Sequence, residues 1–166
     1  MSSPAESDAS APSLEPTASD LAWIAAYSVI ALAELVRARW TFRTFDAKDI
    51  LPRNDAARSL SSASPPANRA SKIARIAYVM PRVARRLPFK SDCLIQAIAA
   101  QDWLSRLGMA SAMQIGVQKP DTKPFEAHAW LLCGETVVTG GEIAHYEVLL
   151  DGTPKTPSAG GNAVNP

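Results

Sequence analysis

Two residues in this sequence have the chemistry for nucleophilic catalysis, Cys93 and His128. A thiol needs a base to become a strong nucleophile, and imidazole takes up a proton near neutral pH. Cys93 follows Leu87-Pro88-Phe89, where a loop gives way to a helical run, so it is expected at a helix N-terminus. Free backbone N–H groups and the helix dipole there favour thiolate over thiol. The same N–H groups can hold the oxyanion of an acyl intermediate. Asp92 opposes this by charge unless its side chain is consumed in capping the helix. His128 lies in the strand-like run Phe125-Glu126-Ala127-His128-Ala129-Trp130.

A third group should orient the imidazole and fix its tautomer. If Gly134-Glu135 is a two-residue hairpin turn, Cys133 faces Thr136 and residue 128 falls opposite residue 141. The nearest carboxylate is then Glu142, the candidate for the third catalytic place; Thr139, a backbone carbonyl or a water are the substitutes. Strand alternation puts His128, Trp130 and Leu132 on one face and Ala129, Leu131 and Cys133 on the other. Cys133 is therefore read as structural, and His145, among polar residues, as solvent-exposed. Two Cys and two His at these spacings make no zinc signature, and no phosphate loop is present. No metal or cofactor is expected.

The elements that must hold this pair follow from patterning. The chain has 166 residues, 47% apolar, with a formal charge of +1, which fits one domain with a real core. Near-neutral charge gives no reason to expect a nucleic-acid partner. Residues 1–18 are Ser-, Pro- and acid-rich and are expected to be disordered, without a secretory signal. Residues 19–150 are read as a single domain, with a helical part over 19–66 and a catalytic core over 69–150. The first helix is expected from Leu21 to Phe42. Its apolar run, Leu21 to Val36, is shorter than a bilayer span, so no membrane crossing is expected. Asp46 to Pro52 is read as a short element and 53–68 as a loop. A helix is expected over Ala70–Met80, with Pro81 restarting or kinking it. The Cys93 helix should run to Leu107 and stop at Gly108, with Cys93, Ala97, Ala100 and Leu104 on its core stripe. Strands are expected over Ala112–Val117, Ala127–Leu132, Thr136–Val138 and Tyr146–Leu150, with a turn over Gln118–Pro124 and a loose tail over 151–166. Helices first and then an antiparallel sheet make an α+β domain.

Between Ala56 and Ser91 the sequence has eight basic residues and no acidic one. This reads equally as a solvated helical face or as a docking surface for an acidic peptide.

Taken together, Asp92-Cys93-Leu94, Gln96-Ala97, Arg106-Leu107-Gly108, Gln114-Ile115-Gly116-Val117 and Pro124-Phe125-Glu126-Ala127-His128-Ala129-Trp130 resemble the leader-peptidase half of the lasso-peptide B protein. That family belongs to the transglutaminase-like cysteine peptidases, and the resemblance covers roughly Arg69 to Leu150. It implies a transglutaminase-like or papain-like core with the nucleophile helix packed on an antiparallel sheet. It implies a cytoplasmic cysteine peptidase that cuts the leader from a ribosomally made precursor peptide, with Cys93 as nucleophile and His128 as base. It further implies a separate leader-recognition protein, since the N-terminal region is too short and too helical to be one, and an ATP-dependent cyclase that closes the core. The family's acidic third member, usually Asp, meets Gly140, Gly141 and Glu142 here, which leaves Glu142 as a replacement or the triad reduced to a dyad. The same chemistry also fits acyl transfer to an amine, and a peptide-binding scaffold is the non-enzymatic alternative.

Overall fold

The computed structural model describes residues 18–60, 68–89, 92–118 and 127–150. The predicted tails, residues 1–18 and 151–166, apart from Ala18, which opens the first helix, and most of the predicted Gln118–Pro124 turn lie outside the described residues. Four helices come first: α1 (Ala18–Thr41), α2 (Ile50–Ser59), α3 (Arg69–Ala84) and α4 (Cys93–Arg106). Four strands follow: β1 (Ala112–Gln118), β2 (Ala127–Cys133), β3 (Thr136–Thr139) and β4 (Tyr146–Leu150). The strands form one antiparallel sheet in the order β3-β2-β1-β4. The α+β expectation is met.

Helix α4 is the axis of the molecule. Ile95, Ala97, Ile98, Ala99, Ala100 and Leu104 are all fully buried, so the helix is apolar around most of its circumference. Such a helix must be covered on opposite sides, and it is: α1 and α3 lie against it, and β1, β2 and β3 close its other side. Gly108 ends it at φ +67°, a left-handed turn that glycine adopts without strain.

Helix α1 gives only its inner half to the core. Ala31, Leu35 and Ala38 are fully buried there, and Leu35 alone contributes about 1.5–3 kcal/mol. Trp23 meets Tyr78 edge-on at 5.7 Å, Tyr27 meets Trp103 at 5.3 Å, and Glu34 pairs with Arg106 of α4. This helix is longer than its apolar run suggests, and by length and composition Ser19–Thr44 could cross a membrane. Its inner residues are instead part of the domain core.

Two helical boundaries depart from expectation. The predicted loop after Pro52 begins inside α2, whose only buried residues are Ile50, Asn54 and Ala57. Asn54 does the work of a strand neighbour at Met113: its Nδ2 donates to Met113 O at 2.8 Å, and its Oδ1 accepts from Met113 N at 2.8 Å and Gln101 Nε2 at 2.9 Å. Arg53 extends this link by donating to Gln101 Oε1 at 2.7 Å and pairing with Asp102. Helix α3 continues past Pro81 to Ala84 because its face over Ile76, Val79, Met80 and Ala84 is buried, which offsets the hydrogen bond proline cannot donate.

Candidate active site

The thiol is placed by the start of α4. Asp92 stands at the N-cap position with extended backbone, and its side chain makes no capping hydrogen bond. The first-turn N–H groups of α4 therefore have no side-chain acceptor from the cap residue. Cys93 is partly exposed, so a substrate can reach it.

Its sulfur lies against β2. Ala129 N–H donates to Cys93 Sγ at 3.4 Å, closing a separation of 36 residues. Ala129 directly follows His128, so the sulfur meets the backbone one residue past the imidazole, and no hydrogen bond joins Cys93 to the His128 ring. Leu131 and Cys133 join the core cluster formed with the helices, while His128 and Trp130 make ring contacts with each other and with Tyr146 of β4.

His128 is oriented by backbone. Its Nε2 is 2.7 Å from Gly140 O. A carbonyl can only accept, so Nε2 carries the proton and Nδ1 is left as the basic nitrogen. Tyr146 of β4 stacks on the imidazole at 4.8 Å with 28° between planes, and Trp130 lies beyond at 6.1 Å. The indole is fixed in turn: Trp130 Nε1 donates to Gln114 Oε1 at 2.6 Å.

Two glycines make room for this stack. A Cβ on Gly116 would lie 2.6 Å from Trp130 Cη2 and 2.6 Å from Glu147 O. A Cβ on Gly140 would lie 2.3 Å from Trp130 Cβ, at a backbone φ of +106°. Gly140 thus presses on Trp130 and offers its carbonyl to His128 from the same place.

Glu142 does not occupy the orienting position expected for it. Its side chain is 78% exposed, and the His145 ring lies 3.9 Å from its carboxylate. The cause is the end of β3: its last residue is Thr139, paired with Leu131 after a bulge, so the ladder stops before it reaches the level of His128. Positive φ at Gly140 and Gly141 then turns the chain outward before Glu142. His145 is exposed as expected. Cys133 is buried; its Sγ donates to Ala110 O at 3.2 Å, and Arg69 Nη2 lies 3.6 Å from it.

Much of the basic run is engaged within the fold. Arg75 lies over Trp23 and Tyr27, Arg82 over Tyr78, and Arg86 donates to Arg82 O. Arg58 pairs with Asp55, and Lys90 lies outside the described residues. Among the described residues no group of three or more His, Cys, Asp and Glu is arranged to hold a metal ion.

A thiol at a helix N-terminus, an imidazole on the facing strand and a four-stranded antiparallel sheet are now joined by a sequence comparison. Residues 32–151 match the transglutaminase-like superfamily. The chain belongs to that superfamily. The match begins within α1, so the outer helices belong to the transglutaminase-like domain together with the sheet. Domains of this superfamily are in general catalytic, as cysteine peptidases or transglutaminases, and both chemistries run through an acyl-enzyme. No curated protein and no solved structure matches the chain.

Around the candidate pair the structure gathers residues to which strand patterning assigns no place there: Tyr146, Gln114, Gly116 and the carbonyl of Gly140. Trp130 was visible as the residue two beyond His128 on the same strand face. The others depend on strand register, which no single-strand pattern encodes.

Proposed function

We propose that the protein is a cysteine peptidase that removes the leader from a ribosomally made precursor peptide, of the kind that matures to a lasso peptide. The observation that supports the reading is Cys93 Sγ held by the N–H of Ala129, the residue after His128, whose Nε2 is committed to Gly140 O. In the proposed reaction, His128 Nδ1 takes the thiol proton and the sulfur attacks the scissile carbonyl. The first N–H groups of α4 stabilise the oxyanion. The imidazolium then gives its proton to the leaving amine, and the C–N bond breaks. Water, deprotonated by His128, attacks the thioester, releases the acid and restores the thiol. The leader reading rests on the strings around Cys93 and His128; a separate leader-recognition protein, an ATP-dependent cyclase and a cytoplasmic location belong to the same proposal.

The experiment is incubation of a precursor peptide and a candidate recognition protein with wild-type and Cys93→Ala enzyme, read by mass spectrometry. Hydrolysis adds one water at the cut and leaves a free carboxylate. If an amine nucleophile is joined instead, with loss of ammonia or of the leaving amine, the protein is an acyltransferase of the same fold. If neither product forms but the peptide binds equally to wild type and Cys93→Ala, the scaffold reading stands. Cys133→Ser should cleave normally, and loss of activity there would overturn the choice of nucleophile.

A further inference from the structure

At the C-terminal end of α1 two guanidinium groups share one cavity. Val36, Arg39, Trp40 and Arg43 follow at i, i+3, i+4 and i+7, so they stand together along one side of the helix and of the 3-10 turn Phe42–Thr44 that continues it. With Phe89 they line a cavity of about 310 Å³. That volume stands at the lower end of ligand pockets, about 300–1,000 Å³.

The charges there are unanswered. Arg39 is half-buried, and among the described residues its side chain has no hydrogen bond, ion pair or ring contact. Arg43 lies over the Trp40 ring at 4.5 Å, a contact that uses its charge but none of its N–H donors. The nearest carboxylates along the chain are engaged elsewhere, Glu34 with Arg106 and Asp46 with Lys48. Like charges four residues apart on a helix repel. A carboxylate received between Arg39 and Arg43 relieves that repulsion and accepts from both.

The other walls narrow the ligand further. Val36, Trp40 and Phe89 are apolar, and an inorganic anion would answer the guanidinium groups while leaving these side chains bare. An acidic side chain with an apolar neighbour answers both. Phe89 also ties the cavity to the candidate active site. It lies four residues before Cys93, so the two Cα atoms are at most about 14 Å apart. An extended peptide advances about 3.3 Å per residue and covers that distance in a few residues. We propose that this cavity is a specificity subsite, which takes an acidic side chain and its apolar neighbour from the substrate peptide a few residues from the scissile bond. Its role in cleavage rests on the peptidase reading; its preference for acid is measured without cleavage.

Binding is measured first, by calorimetry at constant ionic strength on the full chain carrying Cys93→Ala. The probes are two synthetic pentapeptides, one with a glutamate on each side of a central phenylalanine and one with glutamines in their place. The glutamate peptide should bind at least about tenfold more tightly, the worth of one charge-assisted contact. Arg39→Gln and Arg43→Gln should each remove most of that preference without lowering the melting temperature. Equal affinity for the two peptides overturns the proposal, as does a preference that survives both arginine changes. Inorganic phosphate that competes as strongly as the glutamate peptide makes this an inorganic-anion site and likewise overturns it. Cleavage of the precursor peptide is measured second. Arg39→Gln should raise KM at least about tenfold with a smaller effect on kcat. Neutralising the precursor's acidic residue that the cavity takes should raise KM for the wild type and change it little further for Arg39→Gln. If the wild type cleaves but Arg39→Gln leaves KM unchanged, the subsite is refuted and the peptidase reading stands. If the wild type cleaves no precursor, the peptidase reading fails and the role in cleavage with it, while calorimetry still decides whether the cavity holds an acidic peptide.

Discussion

Replacing Gly140 by alanine should damage both the fold and the site, and the two effects can be separated. The residue sits at φ +106°, and an added Cβ would lie 2.3 Å from Trp130 Cβ and 3.0 Å from its Cα. Holding a non-glycine residue in such a conformation costs about 1–3 kcal/mol. Forcing a methyl into filled space costs about 1–3 kcal/mol more. Trp130 cannot easily retreat, because it is 1% exposed and its indole is tied to Gln114. The total of about 2–6 kcal/mol corresponds to a melting-temperature loss of at least about 4 °C in a domain of this size. Gly141→Ala is the control: its φ is +67° and nothing lies within 4 Å of the new Cβ. Only the left-handed strain remains there, about 1–2 kcal/mol. The functional effect follows from Gly140 O, which holds His128 Nε2 at 2.7 Å. Shifting that oxygen by about 1 Å should slow Cys93-dependent turnover roughly 100-fold. The assays are thermal unfolding and peptide cleavage for wild type, Gly140→Ala and Gly141→Ala. The reasoning is refuted if Gly140→Ala unfolds at the same temperature as Gly141→Ala and cleaves at the wild-type rate.

Glu142→Gln should leave cleavage within about twofold of wild type, as surface changes away from special features do; a loss like that of His128→Ala would restore the carboxylate to the triad. Alkylation of the native protein should modify Cys93 first, with Cys133 reacting only on unfolding, and peptide mapping of the labelled thiol decides this. Asn54→Ala leaves Met113 N and Met113 O without their side-chain partner; at about 1–3 kcal/mol for each unpaired buried group, denaturant melts should show a loss of roughly 2–6 kcal/mol. Gly116→Ala should destabilise comparably by driving Trp130 and Glu147 apart, seen as a lower melting temperature and a change in tryptophan fluorescence.

The parts of the fold with local signals were legible. Proline and phenylalanine before Cys93, and Gly108 after its helix, bracket α4 to within a residue of its observed end. Alternation in Ala127–Cys133 gave both the strand and the face on which His128 lies. Helix α2 was not legible because it buries an asparagine, so its core stripe carries no hydrophobic period. Pro81 suggested a break that burial of Val79, Met80 and Ala84 overrides. In the site, Cys93 and His128 could be named from type and position. For the group facing the imidazole the sequence left Glu142 and a backbone carbonyl both open, because the turn at Gly140 and Gly141 that presents the Gly140 carbonyl leaves no signal in strand patterning.

Asn54 has a consequence for solubility. At Met113 the central strand β1 has β2 on one side, while among the described residues its pairing with β4 covers only Ile115 to Gln118. One amide from a helix otherwise rich in exposed residues occupies both hydrogen-bonding groups at Met113 on the open flank. Bare strand edges recruit strands from other molecules. The amide therefore serves as a stopper as well as a clamp, and a chain that loses it gains an adhesive edge before it loses its fold.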